Sequence, residues 1–189
     1  MAYTNAQLTT KLSVKLRDTA DSKWTSSEKD ECLDEAYEDP AVSYIDVDAS
    51  LTASLSTQSY DIPATVDKIV DVAIADSSGV EYRVNPALWE QKYGHLVFRQ
   101  KPPMAGTLTL TVIKKYATTD SLPTEFANFV LALACQNAFE MLMTKYTSGF
   151  LTNDVSAAEI QVGLAYWERK ARQERAKLGR VTNRQGYRV

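Results

Sequence analysis

The spacing of apolar residues changes twice along this chain, and the two changes leave few folds open. Leu8, Leu12 and Leu16 recur every four residues, the spacing of one helix face. From about residue 51 to residue 116 the spacing drops to two. Leu51, Ala53 and Leu55 alternate with polar residues, Val70, Val72 and Ile74 are separated by Asp71 and Ala73, and Leu108, Leu110 and Val112 alternate with threonines. Such alternation marks strands with one wet face, usually antiparallel. Helical spacing returns after Pro123. The fold class that follows is α+β: a bundle of about four helices with an inserted antiparallel β region and an extended C-terminal tail.

Local signals set the boundaries. A first helix is predicted over residues 5–19, ending where Asp18, Ala20, Asp21 and Ser22 loosen the chain. Thr25 followed by Glu28 fits a capping box, in which each side chain satisfies a free amide of the first turn. Trp24 precedes it, and Cys32, Leu33, Ala36 and Tyr37 form one face of a helix over 26–39 that Pro40 ends. In the β region, 51–116, Ser77-Ser78-Gly79 and Pro102 to Gly106 have turn chemistry. Val80 to Val84 and His95 to Gln100 supply strands, with a short helical segment from Pro86 to Tyr93, for about five strands in all. A third helix, 124–146, is apolar almost all round except for Asn128, Gln136 and Glu140 on one row, which makes it the central helix. A fourth, 155–178, starts at a second capping box, Ser156 with Glu159, and buries Ile160, Leu164, Trp167 and Ala171. Gly179 suits the left-handed position past a helix end, so residues 1–179 read as one domain and 180–189 as a tail.

A chain of 189 residues suits one domain with a substantial core. The most apolar stretch, residues 126–143, is interrupted by Asn128, Gln136, Asn137 and Glu140 and does not read as a membrane span. The first residues lack the basic-then-apolar pattern of a secretory signal, so synthesis in a cytoplasm is expected. Cys32 and Cys135 fall on buried helix faces and read as free thiols. The net charge is −3, unevenly spread: Glu168 to Val189 carries eight basic residues against two acids, a net of +6 that leaves −9 on the rest. An acidic body with a basic end points to a separate partner for that end.

Reactive constellations are absent from the sequence. One histidine and two distant cysteines do not make a zinc cluster. Asp46 and Asp48 lack the glycine and glutamate of a calcium loop. Neither a phosphate-cradling glycine pattern nor a G-x-S-x-G elbow occurs. His95 beside Gly94 reads as structural, Glu28 and Glu31 as a solvated face, and Asp61 as a turn residue. No catalytic residue, metal or cofactor is expected, and the chain reads as non-enzymatic. The basic C-terminus has three readings from its residues alone: phosphate contacts with nucleic acid, a solvated helix face, or a segment that docks into a partner protein through Arg180, Arg184, Tyr187 and Arg188, residue types enriched at interface anchors.

The order of these features resembles tailed-phage head–tail adaptor (connector) proteins. The resemblance is carried by Leu8-x3-Leu12-x3-Leu16, Trp24-Thr25-x2-Glu28 and Leu33-x-Glu35-Ala36-Tyr37. It continues through the Tyr60-Asp61-Ile62-Pro63 turn, Lys114-Lys115-Tyr116, Leu122-Pro123 and Tyr166-Trp167-Glu168, and so covers most of the chain. It implies a helical bundle with an inserted β region and a structural role at the head–tail junction of a virion. Copies would form a ring of twelve beneath the portal protein, continue the DNA channel, and offer a docking surface to tail (nozzle or tube) proteins. Genomic DNA would pass through without sequence-specific binding, and no membrane or cofactor is involved. The portal-binding segment would be the C-terminal tail, with Arg180, Arg184, Tyr187, Arg188 and Val189 in contact. The alternatives are another tail-completion or assembly protein, or a nucleic-acid-binding module using the basic C-terminus.

Overall fold

Two hydrophobic cores form, one from the chain before Ser43 and after Lys115 and one from Ser43–Lys115. The structure is a computed structural model that describes residues 2–150 and 155–184, with side chains as far as residue 178 of the last helix. In chain order the elements are β1 (Ala2–Tyr3), α1 (Asn5–Leu16), α2 (Ser26–Tyr37), β2 (Ser43–Ala53), β3 (Ser59–Asp61), β4 (Val66–Ala75) and β5 (Glu81–Arg83). A single 3-10 turn, Pro86–Leu88, leads into β6 (Trp89–Lys92), β7 (His95–Phe98) and β8 (Gly106–Lys115). Then come β9 (Leu122–Pro123), α3 (Thr124–Thr147) and α4 (Ala157–Arg184). The α+β class, the four helices and the antiparallel pairing are as the periodicity predicts.

The helical unit is built around α3. This helix is long and apolar enough to cross a membrane, yet Phe129, Val130, Leu131, Ala134, Cys135 and Ala138 are buried inside the unit. Its wet row is the predicted one: Asn128 and Glu140 are exposed, and Gln136 donates to Glu140 Oε1 at 2.9 Å. The stripe Leu8, Leu12 and Leu16 of α1 is buried, as is the Cys32, Leu33, Ala36 and Tyr37 face of α2. Trp24 fixes the approach to α2. It is 1% exposed, its Nε1–H donates to the Ala138 carbonyl of α3 at 2.7 Å, and its ring meets Phe139 edge-on at 5.5 Å. Both predicted capping boxes are present, at Thr25 with Glu28 and at Ser156 with Glu159. A third, Thr4 with Gln7, starts α1, and β1 pairs antiparallel with β9. Both cysteines are fully buried free thiols, and burial pushes each up to about 12.

α1 stops short of the predicted residue 19. Arg17 takes a left-handed conformation at φ 55°, and the Asp18 amide turns back to the Ser13 carbonyl. This sends Asp18 inward rather than into a loose loop. Its carboxylate accepts from the amides of Ser22, Lys23 and Trp24 and from the Ser22 hydroxyl. Lys29, also buried, donates to the Asp18 carbonyl and to Asp21 Oδ1 at 2.6 Å, and lies 3.3 Å from Asp18 Oδ2. A buried ammonium is tolerable only with such a set of partners.

The β unit holds seven strands rather than about five, because β2 begins at Ser43 and two short strands, β3 and β6, escape the periodicity. They form two sheets, ordered β2-β8-β4-β5 and β3-β7-β6. Leu108, Leu110 and Val112 of β8 all face the core. Two expected inward residues do not. Val70 is 39% exposed because register shifts on either side of Lys68 and Ile69 turn Ile69 inward instead. Leu55 is exposed because β2 ends at Ala53. The irregular part of β4 is held by Gln91 of β6, whose side chain accepts from the Ile69 amide at 2.8 Å and donates to the Asp67 carbonyl at 3.1 Å. Tyr60, 8% exposed, accepts from the Ser54 amide and donates to the Thr57 carbonyl, closing the turn between β2 and β3.

Candidate functional site

α4 carries the basic end of the chain, and its sequence explains how. Ile160, Trp167, Ala171, Glu174 and Leu178 are buried at helical spacing, which leaves the basic residues on the outer face. The helix does not stop at residue 178 as predicted. It runs through Gly179 to Arg184. A glycine inside a helix costs only about 1 kcal/mol relative to alanine, and no proline follows to enforce a stop. Of the predicted portal-binding residues, Arg180 and Arg184 therefore lie on the last turns of a helix rather than in an unpatterned tail. Tyr187, Arg188 and Val189 lie outside the described residues.

Several of the basic side chains on α4 are already engaged within the helical unit. Glu174, 6% exposed, receives Lys177 at 2.7 Å and Lys170 at 2.9 Å. Burial pushes its carboxyl up, but the hydrogen bonds from Lys177 and then Lys170 outweigh that and hold it below the usual range. Arg172 pairs with Glu168 at 3.3 Å and Arg175 with Asp39 at 3.6 Å. Arg169 is exposed, and Asp30, Glu31, Asp34 and Glu35 stand exposed on α2. Sequence reasoning missed that the charge of α4 up to residue 177 is largely compensated. The signal was available in the i,i+3 and i,i+4 spacings of Lys170, Glu174 and Lys177.

Other candidates are placed apart. His95 Nδ1 sits 2.8 Å from Asp61 Oδ1, without hydrogen-bond geometry, where β3 and β7 are paired. Both belong to the β unit, whereas Cys32 and Cys135 are buried in the other core. Asp46 and Asp48 of β2 flank Lys114 of β8 at 2.9 Å and 3.6 Å, an ion-pair cluster across one strand pair. The hydrogen bond with Lys114 holds Asp46 below its ordinary range and raises Lys114. Among the described residues no group of histidine, cysteine and carboxylate side chains is arranged to hold a metal ion.

Two surface features remain. One is an open groove of about 580 Å³ between the end of α1 and the start of α4, lined by Arg17, Ala158, Glu159, Val162, Gly163 and Tyr166. The lining of the groove is mostly apolar, and Val162 and Tyr166 are 72% and 49% exposed. The other is the tip of the β6–β7 hairpin, where Tyr93 is 88% exposed.

No protein-family model matches the chain, and no curated protein matches it. A similar solved structure is described as "Neck of empty GTA particle computed with C6 symmetry". It is 20% identical, covers 75% of this chain and 78% of its own, and superposes with a TM-score of 0.33, a likeness too weak to carry an inference.

Proposed function

We propose that the chain is a structural, non-enzymatic protein of the neck of a phage-like particle: a ring-forming head–tail adaptor that sits beneath the portal, continues the DNA channel and presents a surface to the tail. The observation that carries this reading is the placement of the β unit between the second and third helices of a helical unit, the order that the adaptor resemblance implies. Several residues of that resemblance also build the helical unit. Trp24 locks to α3, Thr25 and Glu28 start α2, and Leu8, Leu12 and Leu16 fill the core. Exposed acids on α2 suit a channel that DNA slides along without being gripped. The internal ion pairs of α4 weigh against a phosphate-binding helix, which would keep its cations free.

Purified portal from the particle that carries this protein, mixed with the full chain and imaged in negative stain, gains an added ring on one face. Portal particles that stay unchanged at protein excess would remove the adaptor reading. A retained ring in high salt separates protein docking from phosphate binding, which weakens steeply with salt.

A further inference from the structure

The β6–β7 hairpin ends in a two-residue turn, Tyr93-Gly94, with φ of +50° and +78°. Positive φ at both positions is the signature of a type I′ turn, where asparagine, aspartate and glycine are at ease and a tyrosine is not. The tyrosine contributes little to the β unit in return. Among the described residues it is the most exposed of the large hydrophobic side chains, and the partner described for its ring is Lys92, whose Nζ lies 5.3 Å from the centroid. The mount beneath it is firm. The Gly94 carbonyl accepts from the Ile62 amide at 2.9 Å, β7 is paired on both sides, and Gln91 ties β6 to β4. A strained turn thus holds out an aromatic side chain and an adjacent cation that the fold does not use.

The groove between α1 and α4 has the opposite shape and chemistry. Gly163, one of its lining residues, lets α4 lie close on α3, since a Cβ there would fall 2.2 Å from the Phe139 ring. Its volume, about 580 Å³, is in the range that holds a ring-sized group. Val162 and Tyr166 offer apolar walls, and Glu159 places a carboxylate at the edge.

We propose that Tyr93 with Lys92 is the convex half of the contact between neighbouring copies of this chain, and that the α1–α4 groove of the next copy is the concave half. This rests on the ring reading above and deepens it. A ring of identical copies needs a heterologous contact, one patch fitting a different patch on the next copy. The convex and concave patches here are different surfaces of one chain, and Lys92 beside the aromatic ring is opposite in charge to Glu159 in the groove lining. Exposed tyrosines that fill a pocket are the residues that dominate such contacts.

Tyr93→Asn tests the idea in two directions at once. It creates the Asn-Gly pair that the turn favours, so the melting temperature stays level or rises, while ring addition to portal falls by roughly tenfold or more. Tyr93→Phe keeps the ring addition. A tagged Tyr93→Cys chain mixed with an untagged Val162→Cys chain on portal forms a disulfide-linked pair on mild oxidation, and neither variant does so alone. Cys32 and Cys135 are fully buried and stay out of that reaction. An intact ring from Tyr93→Asn with no cross-link in the mixed chains overturns this contact and leaves the adaptor reading standing. Failure of the wild-type chain to add to portal overturns both.

Discussion

A methyl group on Gly163 would meet three carbons of the Phe139 ring within 2.6 Å, so α3 and α4 approach each other only because that position is bare. Gly163→Ala is expected to destabilise the chain by about 1–3 kcal/mol, the usual cost of forcing atoms into a filled interior; a shift in urea midpoint at unchanged slope is the readout. Asp18 is the second residue whose surroundings define its behaviour. Burial pushes its carboxyl up, and the hydrogen bonds from Ser22, Trp24 and Lys23 overcome that and hold it well below the ordinary range. A depressed folded pKa stabilises the fold wherever the unfolded carboxyl is ionised, above about pH 4, and that stability is lost as pH falls through the lower folded value. Asp18→Asn should therefore cost about 1–3 kcal/mol at neutral pH and flatten the acid side of the stability curve. Denaturant titrations at pH 7 and pH 3 give both numbers. A variant as acid-sensitive as wild type would show that other carboxylates set the acid limb.

At the scale of elements, what the sequence disclosed was what neighbours decide. The capping boxes of α2 and α4 join residues three apart, and the Leu8, Leu12 and Leu16 stripe needs only one helix to exist. The irregular β4 was hidden because its geometry depends on Gln91, 22 residues away. Val70 looked inward on period two and faces out for that reason. Lys29 escaped the sequence reading: it is buried on α2 with Cys32, Leu33 and Ala36, and its role depends on Asp18 turning in. The end of α4 was misjudged because Gly179 has two uses that sequence alone does not separate. They predict opposite results for Gly179→Ala. Within a continuous helix to Arg184, the alanine should gain about 0.5–1 kcal/mol and raise the helical circular dichroism signal. At a left-handed cap it would lose stability instead, and that outcome would return the helix end to residue 178.

For the whole molecule, the candidate site was the part least readable in advance. Arg180 and Arg184 were read as part of an unpatterned tail and their helical setting came only with the structure, and Tyr187, Arg188 and Val189 lie outside the described residues. Removing residues 180–189 tests their proposed role. The core residues described reach only as far as Leu178, and the expected outcome is a melting temperature that moves by no more than a few degrees, while addition to portal is lost. Truncated protein that still adds to portal as wild type does would falsify the docking role of this segment.

The topology also bears on how the chain folds. Ser43 and Lys115, the first and last residues of the β unit, face each other across the β2–β8 ladder, and the Tyr116 amide reaches the Val42 carbonyl at 3.2 Å. Trp24 and Ala138, bonded in the helical unit, are 114 positions apart along the chain. Bringing such distant partners together carries a loop-closure entropy that slows folding. Once β2 and β8 have zipped, the detour between Val42 and Tyr116 is closed, and α2 and α3 behave as helices joined by a short connection. The β unit is then an internal staple made without a covalent bond, and variants that loosen the β2–β8 ladder should slow the assembly of the helical unit as well.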